Sequence, residues 1–151
     1  MLAQNLSSEY TRGIGGRKMI ELHGWITIRE HYQAAETEEE NIDIVVSYIK
    51  EELNKQLWFN PQIKVLNGEY YMEFTLFANH KNCEVGEIFQ LYKTIGQVAK
   101  GSYGLIYLHD DEDNSGRQNE FQVFVLAKGE VKQCNDPFLS PFIPMVEEEW
   151  I

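Results

Sequence analysis

Alternating hydrophobic and polar residues predict a β-strand over residues 19–30. This period of two is typical of a strand with one buried face. The hydrophobic side consists of Ile20, Leu22, Ile26 and Ile28. Gly24 interrupts that side, and a glycine inside a strand indicates a bulge or a close approach of another group. Trp25 lies on the opposite side, where it is either exposed or covered, if the strand is buried on both faces.

Hydrophobic residues at helical spacing predict two amphipathic helices. The first begins at Thr37, which forms a capping box with Glu40, and we expect it to end near residues 58–60, before Pro61. The second runs from about Glu84 to Lys100. The hydrophobic positions are Ile42, Val45, Val46, Ile49 and Leu53 in the first helix and Val85, Ile88, Phe89, Tyr92, Ile95 and Ala99 in the second. Each helix therefore has one face that can pack on a sheet.

Two hairpins supply the remaining predicted strands. The first contains Asn67-Gly68, a strong signal for a tight turn between antiparallel strands. The second is closed by a polar loop from Asp110 to Asn119. The first hairpin begins with a short strand that starts at Ile63 and returns through a strand over residues 69–79. The strands of the second hairpin cover residues 103–109 and 120–129. Two hairpins indicate a mainly antiparallel sheet.

Residues 136–150 contain three prolines, a density that is incompatible with a central strand or a helix. We expect an extended tail that lies over the body of the domain. The side chains expected to make that contact are Phe138, Leu139, Phe142 and Ile143. The element order is then β-α-β-β-α-β-β, which predicts a single-domain α+β sandwich with both helices packed on one face of the sheet.

The domain is expected to span residues 19–151. Residues 1–18 contain serine and glycine clusters and little hydrophobic periodicity. We therefore expect a flexible N-terminal extension there, with Met19 as the natural start of the chain.

The charge balance narrows the classes of partner. The chain has 13 Lys and Arg against 24 Asp and Glu, a net charge of −11. Such a field repels phosphate backbones and disfavours direct nucleic-acid binding, whereas it attracts a basic protein. The same acidity also favours solubility. Because the chain has no apolar run long enough for a membrane span or a signal peptide, and only two cysteines, we expect a cytoplasmic protein.

The sequence offers no positive case for catalysis, a cofactor or a bound metal. The first half of a calcium-binding loop is matched by Asp111, Asp113, Ser115 and Gly116. Gln122, however, stands where a bidentate glutamate is needed. No nucleophile elbow is present. Two alternatives stay open: a small acidic ligand- or calcium-binding module that uses this loop, and a hydrolase built around Cys83 or a carboxylate pair.

Four motifs in matching order resemble the Immunity protein 7 family over about residues 19–149. They are Leu22 to Ile28, Tyr103 to Tyr107 with Asp110 to Glu112, Asn119 to Phe121, and Asp136 to Pro141 with Ile143-Pro144. Phe142 stands where a small residue or cysteine is expected. The resemblance implies a non-enzymatic cytoplasmic antidote of a bacterial polymorphic toxin system, which binds and neutralises a secreted toxin encoded beside it.

Charge and loop position then suggest which residues bind the toxin. If the toxin is a nuclease, its substrate-binding face is basic, and an acidic inhibitor is attracted to it. The candidate toxin-binding residues are Asp110, Asp111, Glu112 and Asp113 in the hairpin loop, with Trp25 as a hydrophobic anchor.

Overall fold

Six strands form one open antiparallel sheet within the part of the chain that the computed structural model describes, residues 19–33, 42–55, 62–79 and 83–150. In chain order the elements are β1 (Ile20–Ile28), α1 (Ile42–Asn54), β2 (Lys64–Leu66), β3 (Glu69–Ala78), α2 (Cys83–Val98), β4 (Tyr103–Asp110), β5 (Phe121–Ala127), β6 (Glu130–Asn135) and α3 (Phe142–Met145). The spatial order is β2-β3-β1-β4-β5-β6, and all neighbouring strands are antiparallel. The predicted α+β class is confirmed.

Helices α1 and α2 pack on one face of this sheet and share one hydrophobic core with it. The predicted hydrophobic side of β1 is buried, with Ile20, Leu22, Ile26 and Ile28 at most 1% exposed. The helices contribute Val46, Ile49 and Leu53 from α1 and Val85, Ile88, Tyr92, Ile95 and the following Ala99 from α2. The periodic positions therefore define the core face, as the alternation and the helical spacing predict.

Gly24 allows α2 to approach the sheet closely. The Tyr92 hydroxyl donates a hydrogen bond to the carbonyl oxygen of Leu105 at 2.9 Å. A Cβ atom on Gly24 would overlap this hydroxyl. Strand β1 keeps a continuous register with β3 and β4 past this point. The glycine therefore marks a close approach and not a bulge.

The C-terminal third differs from the prediction. Strand β6 is an edge strand that the alternation does not predict, because it is exposed at every position except the half-buried Val131. The proline-rich tail is not wholly extended, since it contains the short helical turn α3. Strand β4 continues to Asp110, which the prediction placed in the loop.

The outer parts of the first predicted helix lie outside the described residues. The predicted cap at Thr37 falls in residues 34–41, and the predicted end near residues 58–60 falls in residues 56–61. Helix α1 ends at Asn54, earlier than predicted. The expected N-terminal extension, residues 1–18, also lies outside the described part.

Candidate functional site

The sheet face opposite the helices carries exposed aromatic side chains along β1 and its two neighbouring strands. Trp25 on β1 is 41% exposed, and its ring meets that of Tyr103 edge to face at a centroid distance of 5.9 Å. Phe77 on β3 is 56% exposed and meets the His23 ring at 5.7 Å. We call these four residues the bare patch. Of the two alternatives for Trp25, partial exposure is therefore the correct one.

The C-terminal tail, residues 136–150, covers another part of the same sheet face. The Phe142 ring stacks on His109 of β4, with centroids 4.2 Å apart and planes 11° from parallel. Phe121 of β5 lies 5.8 Å from Phe142 and stacks on Tyr107 at 4.5 Å. His109 and Phe121 are only 6% and 4% exposed. We call His109, Phe121 and Tyr107 the covered patch.

Asp136 fixes the start of the tail. One carboxylate oxygen accepts the Phe138 amide at 3.0 Å, and the other accepts the Leu139 amide at 3.0 Å and the Ser140 hydroxyl at 2.8 Å. Burial alone would raise the pKa of Asp136, but these donors and the Tyr107 hydroxyl outweigh it, so the pKa is lowered. Burial, with the Asp136 carboxylate beside the phenol, raises the pKa of Tyr107. The ionised Asp136 therefore holds a turn of backbone against the sheet.

Asn119 and Ser140 attach the rest of the tail. The Asn119 side chain accepts the Ile143 amide at 2.8 Å and donates to the Ile143 carbonyl at 3.1 Å. The Asn119 carbonyl accepts the Phe142 amide at 2.7 Å. The Ser140 hydroxyl oxygen accepts the amide of Phe121, the first residue of β5, at 2.8 Å. The tail is thus bonded to both ends of the segment that leads into β5.

Backbone amides bind the carboxylates of Asp110, Asp111 and Asp113 in the β4–β5 hairpin. Asp110 is 4% exposed, and its carboxylate accepts the Glu112 amide at 3.0 Å. Asp111 accepts the Met19 amide at 2.7 Å. Asp113 accepts the Ser115 hydroxyl at 2.6 Å and the Arg117 amide at 3.1 Å. The prediction that Asp110 belongs to the polar loop is therefore wrong, since Asp110 is the buried last residue of β4.

The candidate residues do not form one cluster. In the register of β1 with β4, Asp110 lies opposite Ile20. Trp25 lies five residues after Ile20 on β1. At about 3.4 Å per residue, Trp25 is therefore roughly 17 Å from the end of β1 that pairs with Asp110. The structure instead brings the hairpin loop together with the tail, through Asn119.

Sequence reasoning did not assign roles to Asp136, Asn119 and Ser140. A signal was available, because all three lie in the motifs Asn119 to Phe121 and Asp136 to Pro141, which carry the family resemblance. Their spacing has no period, however, and polar side chains that bond to backbone groups leave no hydrophobic pattern.

The described part of the chain offers no preformed metal centre. No group of three or more His, Cys, Asp or Glu side chains in it is arranged to hold a metal ion. Among those same residues, no helix is long and apolar enough to cross a bilayer. Cys134 on β6 is an exposed free thiol.

A family model described as Immunity protein 7 matches residues 19–148, most of the chain. No curated protein and no solved structure matches the chain at a significant level. The matched region contains the whole sheet, α1, α2 and the anchored part of the tail.

Proposed function

The chain belongs to the Immunity protein 7 family, and from this premise we propose that it neutralises a cognate secreted toxin domain by stoichiometric binding in the bacterial cytoplasm. Its family is one of immunity proteins, which act against toxins and are in general non-enzymatic inhibitors. The match over residues 19–148 is the observation that carries the proposal. Inhibition of this kind needs a surface that blocks the toxin, and it needs no reactive group on the inhibitor.

The toxin class that fits the charge best is a nuclease. A nuclease binds its substrate through a basic face, and a protein with a net charge of −11 is attracted to such a face. Electrostatic steering raises association rates to about 10⁸–10⁹ M⁻¹s⁻¹ at low salt. Protection of a cell from a few toxin molecules needs nanomolar affinity or better, roughly −12 kcal/mol.

The hairpin loop and Trp25 are the proposed toxin contacts. Asp111, Glu112 and Asp113 are half-buried and contribute negative charge at the surface, while Asp110 holds the loop. Trp25 supplies apolar area on the bare patch. An interface of ordinary size covers about 800 Å² per partner, about 30 Å across if it is round. Contacts roughly 17 Å apart therefore fit within one interface.

A rescue assay tests the proposed function directly. The toxin-like C-terminal domain encoded immediately upstream is expressed in a bacterium with and without the full chain. We expect growth to be restored only with the chain, and a 1:1 complex to co-purify. Continued killing by the toxin, with both proteins folded and no complex formed, would overturn the proposal.

Charge-neutralising substitutions test the proposed loop contact. The triple variant Asp111→Asn, Glu112→Gln and Asp113→Asn keeps side-chain acceptors for the loop hydrogen bonds and removes three charges. We expect the association rate to fall about tenfold at low salt and its salt dependence to become shallower. A control with the same charge change replaces the exposed Glu51, Glu69 and Glu130 by Gln. Equal behaviour of the two triples would rule out a specific role for the loop.

A further inference from the structure

The C-terminal tail holds large apolar side chains in water. The exposed fractions are 75% for Phe138, 43% for Leu139, 55% for Met145 and 48% for Val146. The prediction that Phe138 and Leu139 cover the body is therefore wrong, because the turn held by Asp136 leaves both side chains exposed. Phe142 and Ile143, which are half-buried, make the contact instead.

These exposed side chains belong to a segment with a defined backbone conformation. Asp136 accepts the amides of Phe138 and Leu139. The Met145 amide donates to the Pro141 carbonyl at 3.1 Å, and the Val146 amide donates to the Phe142 carbonyl at 2.8 Å. A surface that is ordered before binding loses less conformational entropy when it binds. Aromatic residues and methionine are also enriched in protein interfaces.

Three carboxylates follow the apolar residues along the tail and supply the acidic border of the surface proposed below. Glu147, Glu148 and Glu149 follow directly along the tail, and all three are exposed. The hairpin loop adjoins the tail through the hydrogen bonds between Asn119 and Ile143. An apolar centre with an acidic border complements a basic surface that contains an apolar pocket.

We propose that this tail surface, formed by Phe138, Leu139, Met145 and Val146 with the border Glu147, Glu148 and Glu149, is the principal docking surface for the toxin. The inference rests on the proposed function and deepens it. The partner is a basic protein face with a pocket for Phe138 or Met145, and Trp25 lies at a secondary contact. A second copy of the chain fits less well, because two acidic borders on proteins of net charge −11 repel each other.

Removal of the apolar side chains tests the proposed surface. The full chain carrying Phe138→Ala and Met145→Ala is titrated against the toxin domain encoded immediately upstream. We expect Kd to rise at least about thirtyfold, the loss typical of hot-spot residues. The matched control, Ile44→Ala with Val65→Ala, removes two side chains that are 68% and 56% exposed on α1 and β2. We expect the control to bind like the wild type.

The outcomes separate this inference from the proposed function. If the wild type binds and the Phe138/Met145 double variant binds equally well, the tail surface is wrong and the immunity function stands. If the wild type itself does not bind, both proposals fail. Sedimentation of the chain alone gives a third outcome: a dimer that the double variant abolishes would make a second copy the occupant and overturn the inference. Leu139→Ala with Val146→Ala provides the same test if the first variant does not fold.

The acidic border has its own readout. Replacing Glu147, Glu148 and Glu149 by Gln should lower the association rate about tenfold at low salt, with less effect on dissociation. The control is again the triple Glu51→Gln, Glu69→Gln and Glu130→Gln, which changes the net charge equally. An association rate that depends only on net charge would contradict a toxin contact at the tail.

Discussion

The bare patch and the covered patch lie on the same face of one sheet and have similar composition. The bare patch contains Trp25 and Tyr103, each 41% exposed. The covered patch contains His109 and Phe121, at 6% and 4%. Both have aromatic side chains on β4, at alternate positions that point away from the core. The tail covers only the second patch, where Phe142 stacks on His109.

This contrast shows that alternation in a strand specifies a face but not its covering. The covering depends on polar anchors, Asp136 and Asn119, that lie outside the strands and bond to the tail backbone. If the anchors Asp136 and Asn119 cause this covering, loss of one of them should expose the aromatic side chains of the covered patch as those of the bare patch are exposed. Changes in the bare patch should leave stability almost unchanged.

The largest effect is expected from Asp136→Ala. The substitution removes three hydrogen bonds to a buried carboxylate and releases the start of the tail. We expect a loss of about 2–3 kcal/mol in the free energy of unfolding, together with faster hydrogen exchange at the Phe121 amide. Urea unfolding and exchange measured by NMR check this. Glu130→Ala, at an exposed position on β6, is the control, and equal stability of the two variants would contradict an anchoring role.

Acid should weaken the same anchor. The folded protein lowers the pKa of Asp136 below its usual 3.8, so its stabilising contribution is complete above that value and is lost as the pH falls through the lowered pKa. The stability difference between wild type and Asp136→Asn should therefore be constant near neutral pH and shrink below pH 3.8. A difference that stays the same in acid would show that ionised Asp136 is not the stabilising form.

A smaller effect is expected from Phe142→Ala. This half-buried ring covers His109 and Phe121, and its removal should cost about 1–2 kcal/mol, less than for a fully buried Phe. The Asp136 turn should persist, so the Leu139 amide should remain protected from exchange. Loss of exchange protection at both the Leu139 amide and the Phe121 amide would mean that the tail detaches as one unit.

The smallest effect on stability is expected from Trp25→Ala. The ring is partly exposed, and its contact with Tyr103 is an edge-to-face pair at 5.9 Å, worth about 0.5–1.5 kcal/mol at most. Because both rings are partly exposed, urea unfolding should show a loss at the lower end of this range, below about 1 kcal/mol. A loss as large as that of Asp136→Ala would erase the distinction between the two patches.

The sequence predicts the parts of the fold that bury one regular face. The alternation around Leu22 and the helical stripe around Tyr92 lead to the core because each repeated position needs the same environment. Gly24 is partly interpretable, since a glycine inside a strand indicates a bulge or a close approach, and the structure shows the close approach.

The rest could not be predicted from such patterns. Strand β6 is an exposed edge, so no buried side chain constrains the type of its residues. The carboxylates of Asp110 and Asp136 are buried and accept hydrogen bonds from groups a few residues further along the chain, and such bonds leave no hydrophobic period. A count of charges treats both as solvent-exposed acids, whereas the fold uses both as acceptors for backbone amides.

The β4–β5 hairpin also connects the two ends of the described domain. Its Asp111 binds the Met19 amide at one end, and its Asn119 binds Ile143 at the other. A mechanical force applied between residues 19 and 150 would therefore act first on this one loop, before it reaches the hydrogen bonds between the strands. Opening this loop would break the hydrogen bonds of Asp111 to Met19 and of Asn119 to Ile143 while the helices still cover the sheet.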